Sequence, residues 1–309
     1  MQNEFVYPKL LLFGEYSVLL NGSAISFPLK SFSAKFDFWD KSLENEQAFI
    51  SNNNLIAFST FLSNDKNLKS HISVDIFKDD LNNGMYLWSD IPIGYGIGSS
   101  GVLCASIYKK YKIERQNILD VNLISLKNMF VAMEAYFHGK SSGLDPLTSY
   151  LNTPVLMKNS DIYRVQTEVS GFENWALIDS NVERKTDSLV KLFLAKCEDS
   201  DYLKEIRINY IPQVEKIIDN INANLNKKQS DEETLQILRS ISRMQYLYFD
   251  EMIPDNIKDI WQYGLDTGLY SLKLLGAGGG GFFLCYSNSW KKAANIFTDR
   301  GLKIESVKL

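Results

Sequence analysis

A glycine-rich stretch, PIGYGIGSSG, occupies residues 92–101 and leads from an apolar run into a helix-like one. Its alternating glycines, Gly94, Gly96 and Gly98, carry no Cβ atom, so successive backbone N–H groups can converge on an anion. A helix that begins at the following serines adds its own unpaired N–H groups and the positive end of its dipole. The stretch therefore predicts a phosphate-binding loop, and a glycine-rich turn capped by serine stays open as the alternative.

Composition narrows the class of protein. The 309 residues suggest about two domains, and 45% hydrophobic content is enough for substantial cores. A net charge of −4 argues against nucleic acid as a partner. No apolar run approaches the ~20 residues that span a bilayer, so no membrane contact is expected. The 3 cysteines are odd in number and far apart, which favours a reduced, cytoplasmic setting.

The N-terminal third reads mainly as strands. Residues 9–13 form an apolar run, and residues 17–20 form a second one before Asn21-Gly22, a dipeptide that favours a hairpin turn. Residues 71–77 and 85–88 alternate as strands would on either side of an Asn-Asn-Gly turn. This pattern predicts two hairpins, the second of which delivers the chain to the glycine-rich stretch.

Two carboxylates follow in the next third of the chain. Residues 119–138 have the apolar period of a helix, and Glu134 lies off the apolar stripe, so periodicity alone places it toward solvent. Asp145 sits in Ser-Gly-Leu-Asp-Pro, which is good turn chemistry by itself. His138 at the helix end is favourably placed for the dipole. The residue pattern alone therefore gives none of these side chains a catalytic role.

Several stretches, taken together, resemble the GHMP kinases, the superfamily of galactokinase, homoserine kinase, mevalonate kinase and phosphomevalonate kinase. The string PxGxGxGSSG resembles their phosphate loop, and PKLLLFGEYSVLLNGSAISFPL resembles the first motif of mevalonate and phosphomevalonate kinases. EAYFHGKSSGLDP matches the mevalonate kinase pattern Glu-x-x-x-His-Gly-x-x-Ser-Gly-x-Asp, and LKLLGAGGGGFFLCY resembles the third motif. On these motifs the chain is identified as a member of the mevalonate kinase-like branch.

The resemblance implies an α+β fold with a mixed-sheet N-terminal domain (1–171), a ferredoxin-like C-terminal domain (172–309) and an active site in the cleft between them. It implies transfer of the γ-phosphoryl group of ATP, with Mg²⁺, to a small-molecule alcohol. Mevalonate or a similar hydroxy acid is the first acceptor expected. Phosphomevalonate, a sugar or heptose phosphate, and a non-catalytic nucleotide-binding regulator are the alternatives, and homodimerisation stays open.

Individual roles also follow from the resemblance. Lys9 falls on the family's active-site lysine, and Asp145 falls on the aspartate beside the accepting hydroxyl. Glu134 falls on the glutamate that binds Mg²⁺, and Ser100 is expected to be the second ligand of that ion. The loop residues expected to hold ATP are Pro92, Gly94, Gly96, Gly98, Ser99, Ser100 and Gly101. The residues expected near the substrate are Glu15, His138, Ser142, Gly143, Gly278 and Gly279.

The chain also departs from the family pattern. Pro8 stands where the family has glycine, Pro146 where it commonly has Asn, and Asp187 where it has Lys. Phe282 replaces a cysteine that is frequent in mevalonate kinases. Pro8 bears on the local path of the backbone, whereas Pro146, Asp187 and Phe282 stand where they could shape the acceptor pocket. The sequence leaves the identity of the acceptor open.

Overall fold

The structure is a computed structural model that describes residues 4–113, 122–138, 141–159, 161–165, 172–183, 186–224 and 232–309. Its strands are β1 (Lys9–Phe13), β2 (Ala24–Pro28), β3 (Ala34–Phe38), β4 (Met85–Ser89), β5 (Val155–Lys158), β6 (Asp161–Arg164), β7 (Trp175–Asp179), β8 (Ser271–Leu274), β9 (Phe282–Tyr286) and β10 (Lys303–Ser306). Its helices are α1 (Glu46–Asn64), α2 (Lys66–His71), α3 (Val74–Asn82), α4 (Ser99–Tyr111), α5 (Leu123–His138), α6 (Leu144–Leu151), α7 (Thr186–Lys196), α8 (Ser200–Glu205), α9 (Ile211–Asn224), α10 (Glu232–Tyr248), α11 (Asp255–Thr267) and α12 (Trp290–Thr298). The predicted mixture of helix and sheet is confirmed.

The chain divides into two compact units that interleave along the sequence. The first unit comprises Met1–Lys9, Phe32–Pro92 and Gly98–Val155. The second comprises Leu10–Ser31, Ile93–Ile97 and Leu156–Leu309. The predicted domain boundary at residue 171 lies outside the described residues, so the division into 1–171 and 172–309 stays a prediction.

The first unit combines an antiparallel strand pair with helices. Strands β3 and β4 pair with Ala34 opposite Ser89 and Phe38 opposite Met85. Helices α4 and α6 approach so closely that a Cβ atom on Gly101 would lie 2.8 Å from the backbone nitrogen of Pro146. Gly101 is therefore required for helix packing. Pro146 lies in the first turn of α6, where the N–H that proline lacks has no intrahelical partner.

Apart from Lys9 of β1 and Val155 of β5, which belong to the first unit, the second unit holds two four-stranded sheets. Their described strands follow the orders β1-β2-β5-β6 and β10-β7-β9-β8. In the latter, β9 pairs antiparallel with both β7 and β8, so Phe283 and Leu284 lie in its centre and are fully buried. The fully buried Trp261 of α11 packs its ring 5.8 Å from that of Phe283. This contact places the helical layer on one face of the sheet.

The first hairpin differs from the sequence prediction. Residues Ser17–Leu20 form a 3₁₀ turn, and the strand that pairs with β1 is β2, which starts beyond Asn21-Gly22. The backbone at Tyr16 and Asn21 is left-handed, with φ of 60° and 66°. These two residues close a local turn in which Gly22 N–H donates to Ser17 C=O, so the apolar run between them cannot extend into a ladder.

The prediction of a second hairpin is wrong, because Val74–Asn82 is a helix and not a strand. Its buried apolar residues are Val74, Phe77 and Leu81, which recur at the period of one helical face. The predicted turn does form: Gly84 has φ of 89° and follows the helix end.

In the part of the chain that the structure describes, no helix is long and apolar enough to cross a membrane.

Candidate active site

The structure brings Lys9 and Asp145 together in the first unit. Lys9 is the first residue of β1 and is 6% exposed, whereas Asp145 lies in the first turn of α6. The Lys9 Nζ atom is 3.1 Å from Asp145 Oδ1. The first helical turn favours a carboxylate because it carries unpaired N–H groups and the positive end of the dipole. The result is a buried ammonium beside a carboxylate that keeps partial contact with solvent, at 30% side-chain exposure.

Gly98 connects the phosphate-loop stretch to this ion pair. It precedes α4 with φ of 80°, a conformation that disfavours any residue with a Cβ atom. A Cβ atom here would lie 3.0 Å from Asp145 Oδ2 and 3.3 Å from Lys9 Cγ. The start of α4 therefore lies directly against the ion pair, which is the geometry expected if both face the same reacting group.

Glu134 is buried, contrary to the expectation from helical periodicity, and is only 2% exposed. Its Oε1 accepts a hydrogen bond from the Ser100 hydroxyl at 3.3 Å, and its Oε2 accepts one from the Ser141 hydroxyl. Burial and, after it, the charge of Asp145 raise the pKa of Glu134, while Ser141, Ser100 and Lys9 lower it, and the net result is a pKa of about 7. Glu134 thus belongs to the same electrostatic cluster as Lys9 and Asp145.

These side chains fit a magnesium ion. Ser100 and Glu134 supply a hydroxyl and a carboxylate oxygen, the hard donors that Mg²⁺ prefers, and Mg²⁺ is usually held by one or two carboxylates together with phosphate and water oxygens. Over the described ranges, no group of three or more His, Cys, Asp or Glu side chains is placed to hold a metal ion. Water and phosphate oxygens would complete the coordination of an ion held by Ser100 and Glu134.

The turn between α5 and α6 contains one functional candidate that the sequence reasoning missed. The family pattern points to Ser142, but its hydroxyl accepts a hydrogen bond from Leu144 N–H at 3.3 Å, and it is the preceding Ser141 that contacts Glu134. Gly143 has φ of 70°, and a Cβ atom there would lie 2.6 Å from Lys127 C=O. The side chain of His138 lies outside the described part of the structure.

The remaining glycines of the phosphate-loop stretch, Gly94 and Gly96, belong to the second unit and have φ of 81° and 82°. Between them, Tyr95 packs its ring 4.9 Å from that of Phe282 and hydrogen-bonds to Asp179. Burial and then the Asp179 charge raise the pKa of the Tyr95 phenol, so it stays a donor. Phe282, which departs from the family pattern, is 3% exposed and packs against this loop segment through Tyr95.

The third glycine motif folds against the protein backbone. Gly279 N–H donates to Met252 C=O at 2.6 Å, and a Cβ atom on Gly278 would lie 2.6 Å from the same oxygen. Close approach to Met252 C=O therefore accounts for Gly278, whereas a Cβ atom on Gly279 would clash with Leu189 Cδ1. A role in substrate or phosphate placement stays a prediction for both glycines.

Glu15, expected near the substrate, lies in the second unit with Lys273. The Lys273 ammonium donates to Glu15 Oε1 at 2.6 Å and also to Leu274 C=O, and both side chains are buried. The neighbouring Tyr16 hydroxyl donates to Ala277 C=O at 2.6 Å. The first motif is thus bonded to the strand and turn of the third motif.

Comparison with known proteins gives one relative by sequence and several by structure, while no protein-family model matches the chain. The sequence relative is D-glycero-alpha-D-manno-heptose 7-phosphate kinase of Campylobacter jejuni, which is 23% identical over 261 residues, or 75% of this chain and 71% of that protein. Mevalonate kinase of Methanococcus jannaschii superposes with a TM-score of 0.64 at 18% identity, covering 99% of this chain and 98% of that one.

Phosphomevalonate kinase of Streptococcus pneumoniae, solved with phosphomevalonate and AMPPNP, has a TM-score of 0.62 at 16% identity and covers 99% of this chain and 100% of that one. Its coverage, like that of the mevalonate kinase, includes nearly the whole of both chains. The chain has the GHMP kinase fold. The predicted resemblance to GHMP kinases and the predicted α+β class are confirmed at this level, while the roles of individual site residues stay predictions.

Proposed function

We propose that this GHMP-fold protein is a phosphotransferase that moves the γ-phosphoryl group of ATP to an alcohol. The observation that carries the proposal is the Lys9–Asp145 ion pair, 3.1 Å long, against the start of α4. A protein that only binds nucleotide has no use for a carboxylate at the acceptor oxygen, so this pair favours a catalyst over a regulator.

Phosphoryl transfer depends mainly on positioning and on stabilising charge that spreads over the phosphate oxygens. Asp145, the more exposed member of the pair, orients the acceptor hydroxyl and takes its proton at a carboxylate oxygen. Lys9 holds Asp145 in place and offsets the negative charge that collects when acceptor and phosphate meet. Both functions require the pair to be intact before substrate arrives, as the structure has it.

The nucleotide phosphates would bind at the 92–101 stretch, whose glycines have φ near 80° and carry no Cβ atom that would keep an anion from the backbone N–H groups. A bound AMPPNP in the phosphomevalonate kinase neighbour supports ATP as the donor. Ser100 and Glu134 are the residues that would hold Mg²⁺. Such an ion neutralises charge on the phosphate oxygens.

Two classes of acceptor are proposed. The first is a hydroxy acid of mevalonate size, which the first motif and the Glu134 to Asp145 segment favour and which agrees with the mevalonate kinase neighbour. The second is a phosphorylated sugar, favoured by the sequence relative, which is a heptose 7-phosphate kinase. Pocket contacts decide between such classes, because one unpaired buried polar group changes binding more than one methylene does.

The test is an ADP-release assay of the purified protein with MgATP and a panel of mevalonate, phosphomevalonate, homoserine, galactose and a heptose 7-phosphate. Turnover with one acceptor, abolished in Asp145→Asn, supports the proposal and selects the class. Tight nucleotide binding without turnover on any phosphorylatable alcohol in a wider panel would favour the regulator instead.

A further inference from the structure

Ser141 lies in the short connection between α5 and α6, and its hydroxyl has two partners. The oxygen accepts a hydrogen bond from Gly143 N–H at 3.0 Å, and the hydroxyl proton is donated to Glu134 Oε2. A serine hydroxyl has one proton to give, so the bond accepted from Gly143 helps to fix its direction. The Ser141 hydroxyl therefore links the backbone N–H of Gly143 to the carboxylate of Glu134.

The Glu134 carboxylate is held at both of its oxygens. Oε2 accepts from Ser141, whereas Oε1 faces Ser100, 3.3 Å away, the longer and weaker of the two contacts. With Oε2 fixed, the carboxylate plane is fixed, and Oε1 stays directed at the Ser100 side. Because Glu134 is 2% exposed, water does not compete for these bonds to any extent.

We propose that Ser141 is a positioning residue that orients the Glu134 carboxylate for the divalent ion of the nucleotide complex. This rests on the proposed function, in which Ser100 and Glu134 hold that ion. In this proposal Ser141 acts through Glu134, to which its hydroxyl donates. It also joins Glu134 of α5 to the start of α6, the helix that carries Asp145, so one hydroxyl sets the relation between the ion ligand and the acceptor base.

Loss of a residue that hydrogen-bonds to a metal ligand typically lowers metal affinity by about 10- to 100-fold. The neighbouring Ser142 gives a comparison within the same turn, because its hydroxyl accepts from Leu144 N–H and contacts no carboxylate in any hydrogen bond that the structure describes. The two serines therefore separate a general effect on the turn from a specific effect on Glu134.

The experiment titrates Mn²⁺ into the protein at saturating ADP and follows free Mn²⁺ by electron paramagnetic resonance. Ser141→Ala is expected to weaken Mn²⁺ binding by about tenfold or more. Ser141→Thr, which keeps the hydroxyl, should bind Mn²⁺ within about threefold of the wild type. Ser142→Ala should stay in the same range, because the titration contains no acceptor that Ser142 could contact. Circular dichroism melting confirms that each variant is folded.

A double-mutant cycle with Glu134→Gln distinguishes positioning from direct ligation. If Ser141 acts through Glu134, adding Ser141→Ala to the Glu134→Gln variant changes Mn²⁺ affinity little. An undiminished effect in that background, equal affinity of Ser141→Ala and wild type, or loss in Ser142→Ala alone would each overturn the inference. Failure of the wild-type protein to bind ADP and Mn²⁺ together would instead overturn the proposed function on which it rests.

Discussion

Glu15 and Lys273 form a buried ion pair of 2.6 Å although 258 positions separate them in the sequence. The ammonium also faces the Phe13 ring, 5.2 Å from its centroid. This pair bonds the turn after β1 to β8, so it fixes the base of the third glycine motif. It gives Glu15 a structural explanation beside the substrate role that the family resemblance implies.

Lys273→Met should destabilise the protein by about 3 to 5 kcal/mol, because it leaves the Glu15 carboxylate buried without its cation. The double variant Glu15→Gln with Lys273→Met removes both charges and should recover a large part of that loss. Urea unfolding of the two variants and the wild type measures the effect. A Lys273→Met protein as stable as the wild type would show that the pair contributes nothing to the fold.

Gly98→Ala should lower ADP affinity by at least about tenfold, or roughly 1.4 kcal/mol. The new Cβ atom would lie 3.0 Å from Asp145 Oδ2, and φ of 80° adds backbone strain. Gly301→Ala is the matched control, since Gly301 has φ of 72° but no atom within 4 Å of the added Cβ. Calorimetric titration should find ADP affinity lowered only in Gly98→Ala, and an equal effect at both positions would contradict the assignment.

Asp145→Asn and Lys9→Met should reduce kcat by about 10²- to 10⁴-fold while ADP affinity changes little. The amide keeps the shape of the carboxylate and loses its basicity, and the thioether keeps the length of the lysine without its charge. Steady-state kinetics with the acceptor found in the panel checks the first part, and calorimetry checks the second. A near-normal kcat in Asp145→Asn would remove the base from the mechanism.

Glu134 should make stability depend on pH in buffer free of divalent ions. Because burial raises its pKa from 4.5 to about 7, the folded protein binds more protons than the unfolded chain between these values. The stabilising contribution of the protonated carboxyl is complete below about pH 4.5 and is lost as the pH rises through 7. The glutamine of Glu134→Gln cannot ionise, so the variant does not lose this stability as the pH rises. Its free energy of unfolding relative to the wild type should therefore increase from pH 5 to pH 8 by about 1 to 3 kcal/mol. Urea unfolding at both pH values tests this, and a constant difference would refute the shift.

Local sequence patterns predicted structure correctly where the spacing of residue types along the chain is sufficient to define it. The alternating glycines singled out the 92–101 stretch, where Gly94, Gly96 and Gly98 all have φ near 80°, a conformation that glycine adopts without steric cost. Phosphate binding by this stretch stays a prediction. The period of residues 71–77 was misread, because a run of this length satisfies the strand alternation before the helical repeat of Val74, Phe77 and Leu81 becomes visible.

By itself the sequence determined the order of the motifs, the α+β class and the resemblance to GHMP kinases, since these depend on residue types and spacing. Only the tertiary structure decided that Glu134 is buried, that Ser141 and not Ser142 holds it, and that Glu15 pairs with Lys273. The physical reason is that burial and ion pairing depend on which elements pack together. A helical period records the face that meets the main core, and it says nothing of a second contact made by the opposite face, which is where Glu134 meets Ser100 and Ser141.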